Sequence, residues 1–135
     1  MENTVINDPE KRALTDLVQS GDERQDPDQA DAWSVDGTFQ IGAMPLQQGR
    51  ESIRGFLRGF FSMGLFEKLH HRMVAVIERP DSVVYRAVAE YTLPNGETLA
   101  SPYVNWVTYT REGGVLKFKT YQVFIDPSPL LATKG

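Results

Sequence analysis

The stretch HHRMVAVIERPDSVVYRAVAEYTLPNGETLASPYVNWVTYTREGGVLKFKTYQVFID, residues 70–126, decides the fold. Its runs of β-branched and aromatic residues are cut by Arg79-Pro80-Asp81, Pro94-Asn95-Gly96 and Glu112-Gly113-Gly114. Val, Ile, Tyr and Phe suit a pleated, half-buried surface, and Asn-Gly supplies the positive φ angles of a tight hairpin turn. The spacing predicts consecutive strands over His71 to Ile77, Ser82 to Leu93, Leu99 to Arg111 and Val115 to Asp126. The tail Pro127-Ser128-Pro129-Leu130-Leu131 cannot continue a central strand, because its prolines lack ladder donors.

Working outward, Asp8-Pro9-Glu10 and Asp26-Pro27-Asp28 repeat one helix-start signal. Asp caps free amides, Pro occupies the first helical position, and an acid follows in the first turn. A first helix is expected from about Pro9 to Gln19, with Leu14, Leu17 and Val18 inward and Gly21 just past its end. A short second helix is expected from about Pro27 to Trp33. Asp36-Gly37 then marks a turn before a half-buried strand, Thr38 to Ile41. A third helix, Arg50 to Ser62, carries the apolar stripe Ile53, Phe56, Leu57, Phe60 and Phe61. Helices first and meander last make an α+β plan: a cone-shaped, curved antiparallel sheet packed on the N-terminal helices. The hollow between them is where a small molecule would sit.

At 135 residues the chain is expected to form a single domain over 1–135, with its core at about 9–131. A net charge of −4 argues against binding a phosphate backbone, so nucleic acid is a poor partner. No stretch approaches the roughly 20 apolar residues of a membrane span, and Met1-Glu2-Asn3-Thr4 opens without a basic run or an apolar export signal. Zero cysteines exclude disulfides, thiolate catalysis and cysteine-held metals. A cytoplasmic protein with no metal and no cofactor is the expectation. Walker-type loops, dinucleotide fingerprints and Gly-x-Ser-x-Gly elbows do not occur.

Three segments, in order, resemble the nuclear-transport-factor-2-like superfamily, especially its SnoaL-like (polyketide-cyclase-like) branch. They are Trp33-Ser34-Val35-Asp36-Gly37-Thr38-Phe39, Gly49-Arg50-Glu51-Ser52-Ile53-Arg54-Gly55-Phe56, and Tyr121-Gln122-Val123-Phe124-Ile125-Asp126-Pro127-Ser128-Pro129-Leu130. The resemblance implies the cone fold over about residues 10 to 131 and an apolar pocket, in a superfamily of isomerases, dehydratases, cyclases, an epoxide hydrolase and non-catalytic binders. The steroid-isomerase base would fall near Ile41 and Gly42 and is missing. The epoxide-hydrolase pattern keeps Arg86 but has Val88 and Val123 where carboxylates belong. Dehydratase-like members use histidine with a carboxylate, and His70 or His71 stands near where one such histidine enters.

Strand alternation puts His71, Met73, Ala75 and Ile77 on one face, the more apolar one, and His70, Arg72, Val74 and Val76 on the other. An imidazole in a dry pocket moves protons near neutrality, whereas a strand-end histidine is often structural. Adjacent histidines facing opposite ways do not chelate one metal. Arg86 and Glu90 share a face, either as an inward pair that orients substrate or as a surface ion pair. Tyr103 and Asn105 offer a hydroxyl and an amide for a carbonyl or hydroxyl, or pack in the sheet with satisfied tips. Asp126 points to the pocket rim or caps the strand, and Asp36 belongs to its turn. Trp33, Phe56, Phe60, Met73 and Tyr121 complete the expected pocket wall or core.

The expected ligand is a small, hydrophobic, oxygenated molecule. If the chain is an enzyme, it runs cofactor-free dehydration, isomerisation or cyclisation, with His71 or His70 as acid/base and Asp126 or Glu90 orienting the ring. The competing expectation is a non-catalytic ligand-binding or dimerisation module. In either case the outer sheet face suits a homodimer. An inward carboxylate within reach of a histidine in the hollow would favour the enzyme.

Overall fold

A computed structural model describes residues 3–132. Helix α1 (Pro9–Glu23) starts at Asp8, whose side chain accepts the N–H groups of Glu10 and Lys11 at 3.0 Å. A 3-10 turn over Pro27–Ala32, capped by Asp26, leads into strand β1 (Trp33–Ile41). The two-residue β2 (Gln47–Gln48) precedes α2 (Arg50–Ser62). Strands β3 (Lys68–Arg79), β4 (Ser82–Thr92), β5 (Thr98–Glu112) and β6 (Val115–Phe124) form the meander, and α3 (Ser128–Ala132) follows. One sheet contains them all in the order β2-β1-β6-β5-β4-β3, with β1 and β6 parallel and the other pairs antiparallel. No helix among the described residues is long and apolar enough to cross a membrane.

Bulges bend this sheet and reset which side chains face inward. In β3, Met73 opposes Ala87 but Ala75 opposes Arg86, so Val74 is the extra residue. Beyond it Val76 is buried and Ile77 is 58% exposed, reversing the inward place that strict alternation assigns to Ile77. In β6, Phe118 opposes Tyr109 while Thr120 opposes Thr108, which makes Lys119 the extra residue. Phe118 and Tyr121 therefore both point inward, and Phe124, on the Phe118 face by parity, points out. Asp36-Gly37 lies within β1, where the register with β6 shifts between Trp33 and Thr38, so the expected turn is an irregularity inside a longer strand.

Helix α1 runs four residues past the expected end at Gln19 because Gly21 sits inside it, facing Gln29 of the 3-10 turn. Its buried positions are Lys11, Thr15, Val18 and Gly21, while Leu17 is exposed. Lys11 is buried because its ammonium is satisfied: it donates to the Arg79 carbonyl at 2.6 Å and lies 5.5 Å from the Tyr109 ring centre. Helix α2 has the predicted bounds and buries Ile53 and Leu57. Arg54 ties it to the 3-10 turn through Asp28 at 2.6 Å and Asp31 at 2.5 Å, and bonds Glu51 of its own helix at 3.1 Å.

The core centres on Trp33, whose ring lies 5.1 Å from Phe118, 5.2 Å from Tyr121 and 5.5 Å from Phe39. Beside it, Arg50 bonds the Trp33 carbonyl at 2.8 Å and pairs with Glu112, whose other oxygen accepts the Val35 N–H at 2.7 Å. These bonds fasten the start of α2 to the far end of the β5–β6 hairpin.

Gly21 and the two exposed α2 glycines separate packing from propensity. A Cβ at Gly21 would lie 2.9 Å from Gln29 Cβ, whereas one at Gly55 or Gly59 would meet nothing within 4 Å. Gly21→Ala should destabilise the fold by about 1–2 kcal/mol through overpacking. Gly55→Ala and Gly59→Ala should each stabilise it by about 0.5–1 kcal/mol. Urea unfolding of the three variants checks both signs.

Candidate functional site

Curvature leaves the concave face of the sheet incompletely filled. A cavity of about 90 Å³ remains between the inner sheet face, the last turns of α1, the inner face of α2 and the segment after β6. That volume holds several water molecules or a small organic guest. Phe39, Leu57, Phe60, Phe61, Val123 and Ile125 give its wall an apolar character. Successive inward positions of β5 supply polar groups, Ser101, Tyr103 and Asn105, and α1 and β3 add Asp22 and His71.

A continuous hydrogen-bonded chain crosses this wall. Asp22 Oδ2 lies 2.9 Å from His71 Nε2, and His71 Nδ1 lies 2.6 Å from the Tyr103 hydroxyl. Gln29 Nε2 donates to the other Asp22 oxygen at 2.8 Å and holds the carboxylate in place. A carboxylate only accepts, so His71 donates from Nε2, and in the neutral ring the Nδ1 lone pair faces the Tyr103 hydroxyl. The His71 and Asp22 side chains are 11% and 21% exposed, which limits screening of the pair.

Behind Tyr103 lies a buried cluster of phenols. The Tyr85 and Tyr121 hydroxyls are 3.2 Å apart, and Asn105 Nδ2 donates to them at 2.6 and 2.9 Å. Tyr85 also interacts through its hydroxyl with that of Tyr103. Burial pushes the Tyr85 hydroxyl up to about 12 and raises those of Tyr103 and Tyr121 well above the ordinary tyrosine value. All three remain hydrogen-bond donors at any physiological pH.

Of the residues singled out from sequence, His71, Tyr103, Asn105, Tyr121, Phe60 and Asp126 line the cavity. Asp126 sits at its exposed rim, 3.0 Å from the Ser128 N–H and 2.7 Å from its hydroxyl, and these two bonds hold its carboxyl below the usual range. His70 faces outward, 3.4 Å from Glu23. Arg86 and Glu90 are exposed on the outer sheet face, where Glu90 lies 3.7 Å from Arg72, so neither reaches His71. Trp33 is fully buried in the core rather than in the cavity wall. Phe56 packs behind Phe39, with ring centres 5.9 Å apart, and Met73 accepts from Gln19, so both also lie outside the wall.

Sequence reasoning missed Asp22, the carboxylate that does reach His71. Reading Gly21 as the residue past the helix end placed Asp22 in a loop. The available signal was its position four residues after the inward Val18, on the same helix face. Among the described residues no three His, Asp or Glu side chains converge as metal ligands would.

The SnoaL-like domain family matches residues 12–117 of the chain. No curated protein is matched by its sequence. Several solved structures share the fold. The hexachlorocyclohexane dehydrochlorinase LinA-type3 from Novosphingobium barchaimii LL02 superposes with a TM-score of 0.73 at 14% identity, covering 87% of this chain and 84% of that one. A protein with a ketosteroid isomerase-like fold from Catenulispora acidiphila DSM 44928, in complex with trimethylamine, gives 0.71 at 19% identity over 90% and 92%. Aln2 from a Streptomyces species gives 0.69 at 20% identity over 91% and 93%. At these identities the likeness is one of fold.

Each of the five tyrosines has a hydroxyl raised by burial. The unfolded chain releases phenolic protons near pH 10 while the folded chain retains them. Their contribution to stability is therefore fully present below pH 10 and is lost as pH rises toward and beyond about 12, the value to which Tyr85 and Tyr91 are pushed. The melting temperature should hold steady from pH 8 to 9.5 and fall above 10. Absorbance at 295 nm should stay flat until the protein unfolds.

Proposed function

The chain belongs to the SnoaL-like family of the nuclear-transport-factor-2-like superfamily, and we propose that it binds a small, largely apolar, oxygenated molecule and moves a proton on it with the Asp22–His71 pair. The observation that carries this reading is the chain Asp22–His71–Tyr103, with spacings of 2.9 and 2.6 Å, in the wall of a largely apolar cavity. A carboxylate orienting an imidazole whose second nitrogen meets a phenol in the wall of a largely apolar cavity is a general-base arrangement. The fold likeness to a dehydrochlorinase, an enzyme whose name describes removal of hydrogen and chlorine, agrees with chemistry that begins by taking a proton from carbon.

In the reaction, a substrate oxygen displaces His71 as acceptor of the Tyr103 hydrogen bond. This frees Nδ1 to take a proton from a neighbouring carbon. Asp22 stabilises the imidazolium that forms, and Tyr103 stabilises charge developing on the oxygen. Loss of a leaving group from the adjacent carbon completes an elimination, and return of the proton to another carbon completes an isomerisation. These steps use only this chain's own residues.

The outer sheet face supports a second copy of the chain as partner. Trp106 is 52% and Phe124 49% exposed there, beside Val84 and Val104 on paired strands. An apolar patch on a sheet face is a common site of self-association. Trp106→Glu should convert a dimer into a monomer in sedimentation equilibrium without altering the fold.

For the proton-transfer reading, deuterium incorporation from heavy water into a panel of small ketones and terpenoids, followed by NMR, is the direct measurement. Asp22→Asn and His71→Gln should each slow exchange by about 10² to 10⁴. Tyr103→Phe should slow it while retaining binding. Equal exchange in His71→Gln and the wild type would remove the pair from the chemistry.

A further inference from the structure

Asn105 is 1% exposed and stands two residues beyond Tyr103 on β5, in the cavity wall. Both of its amide hydrogens are taken by the hydroxyls of Tyr85 and Tyr121. Its Oδ1 has no partner, one of two such buried side-chain atoms among the described residues. Turning the amide over would not relieve this. Oδ1 would then accept both hydroxyls, Nδ2 would be left with two unused hydrogens, and none would lie between phenol oxygens 3.2 Å apart. In the observed orientation one phenol donates to the other, and the second has a hydrogen for Tyr103. The network is thus closed on the donor side of Asn105 and open on its acceptor side. A buried acceptor left unmet is costly, and a donor brought by a guest would meet it.

Charge narrows the guest further. The lining contains the carboxyls of Asp22 and Asp126 but no Lys or Arg side chain among the described residues. An anionic group would enter a wall with two acids whose one basic side chain, His71, is already engaged by Asp22, whereas a neutral or cationic group meets no such penalty.

We propose that the ligand of this cavity carries a hydroxyl or N–H group that donates to Asn105 Oδ1, and that it is neutral or cationic, never anionic. The donor preference stands on Asn105 and does not rest on the acid–base reading.

Four probes on one ring test it by calorimetric titration of the intact protein: cyclohexanol, fluorocyclohexane, cyclohexylammonium and cyclohexanecarboxylate. Cyclohexanol should bind at least tenfold more tightly than fluorocyclohexane, which has the same shape without the donor. Cyclohexylammonium should bind with the alcohol, and the carboxylate at least tenfold more weakly. In Asn105→Leu the alcohol preference should vanish, while in His71→Gln it should persist although proton exchange is lost. That contrast separates failure of this inference from failure of the acid–base reading. Equal binding of alcohol and fluoride, no binding of the alcohol, tight binding of the carboxylate, or an alcohol preference surviving in Asn105→Leu would each overturn it. The wild-type series decides the matter even where Asn105→Leu does not fold.

Discussion

The bend of the sheet is the constraint on which the rest of this molecule depends. Single extra residues at Val74 and Lys119 twist β3 and β6 away from a flat ladder. A sheet bent this far presents a concave face wider than α1 and α2 together can fill. The aromatic cluster around Trp33 closes one part of that space, and the cavity is what remains. A flat sheet of the same composition would pack against its helices without leaving room for a guest.

The same bend brings together residues far apart in the chain. Asp22 arrives from α1, His71 from β3, Tyr103 and Asn105 from β5, and Tyr121 from β6. Their polar atoms are satisfied almost entirely by one another, which is the condition for keeping polar groups in a largely apolar wall. Low local polarity then strengthens the hold of Asp22 on His71, and it keeps each nearby phenol protonated. The site is therefore a pre-oriented set of donors around one imidazole.

Much of this was legible in the sequence, and the failures have physical causes. Turn residues and the 3.6-residue period indicate the element order and the bounds of α2, because local chemistry governs both. Which face of a strand looks inward was legible only up to a bulge. His71 precedes Val74 and was placed correctly, whereas Ile77 follows it and was not. Asp22 was hidden because Gly21 reads locally as a helix terminator. The role of Gly21 is tertiary, to let Gln29 approach α1, and nothing in the neighbouring residues announces a contact made eight positions later. His70, Arg86 and Glu90 have the right chemistry but face solvent, as alternation already indicates by placing them opposite the more apolar sets of His71 on β3 and of Tyr85, Ala87 and Ala89 on β4.

The proton-handling groups and the greasy wall come from different parts of the chain. Asp22, His71 and Tyr103 belong to α1 and the sheet, while Leu57, Phe60 and Phe61 belong to α2, and Ile125, Pro127 and Leu130 to the segment after β6. Substitutions in the second group reshape the chamber without disturbing the first. Descendants of one ancestor can thus diverge in what they accept while inheriting the same reactive centre, and selection in the laboratory has the same handle available to it.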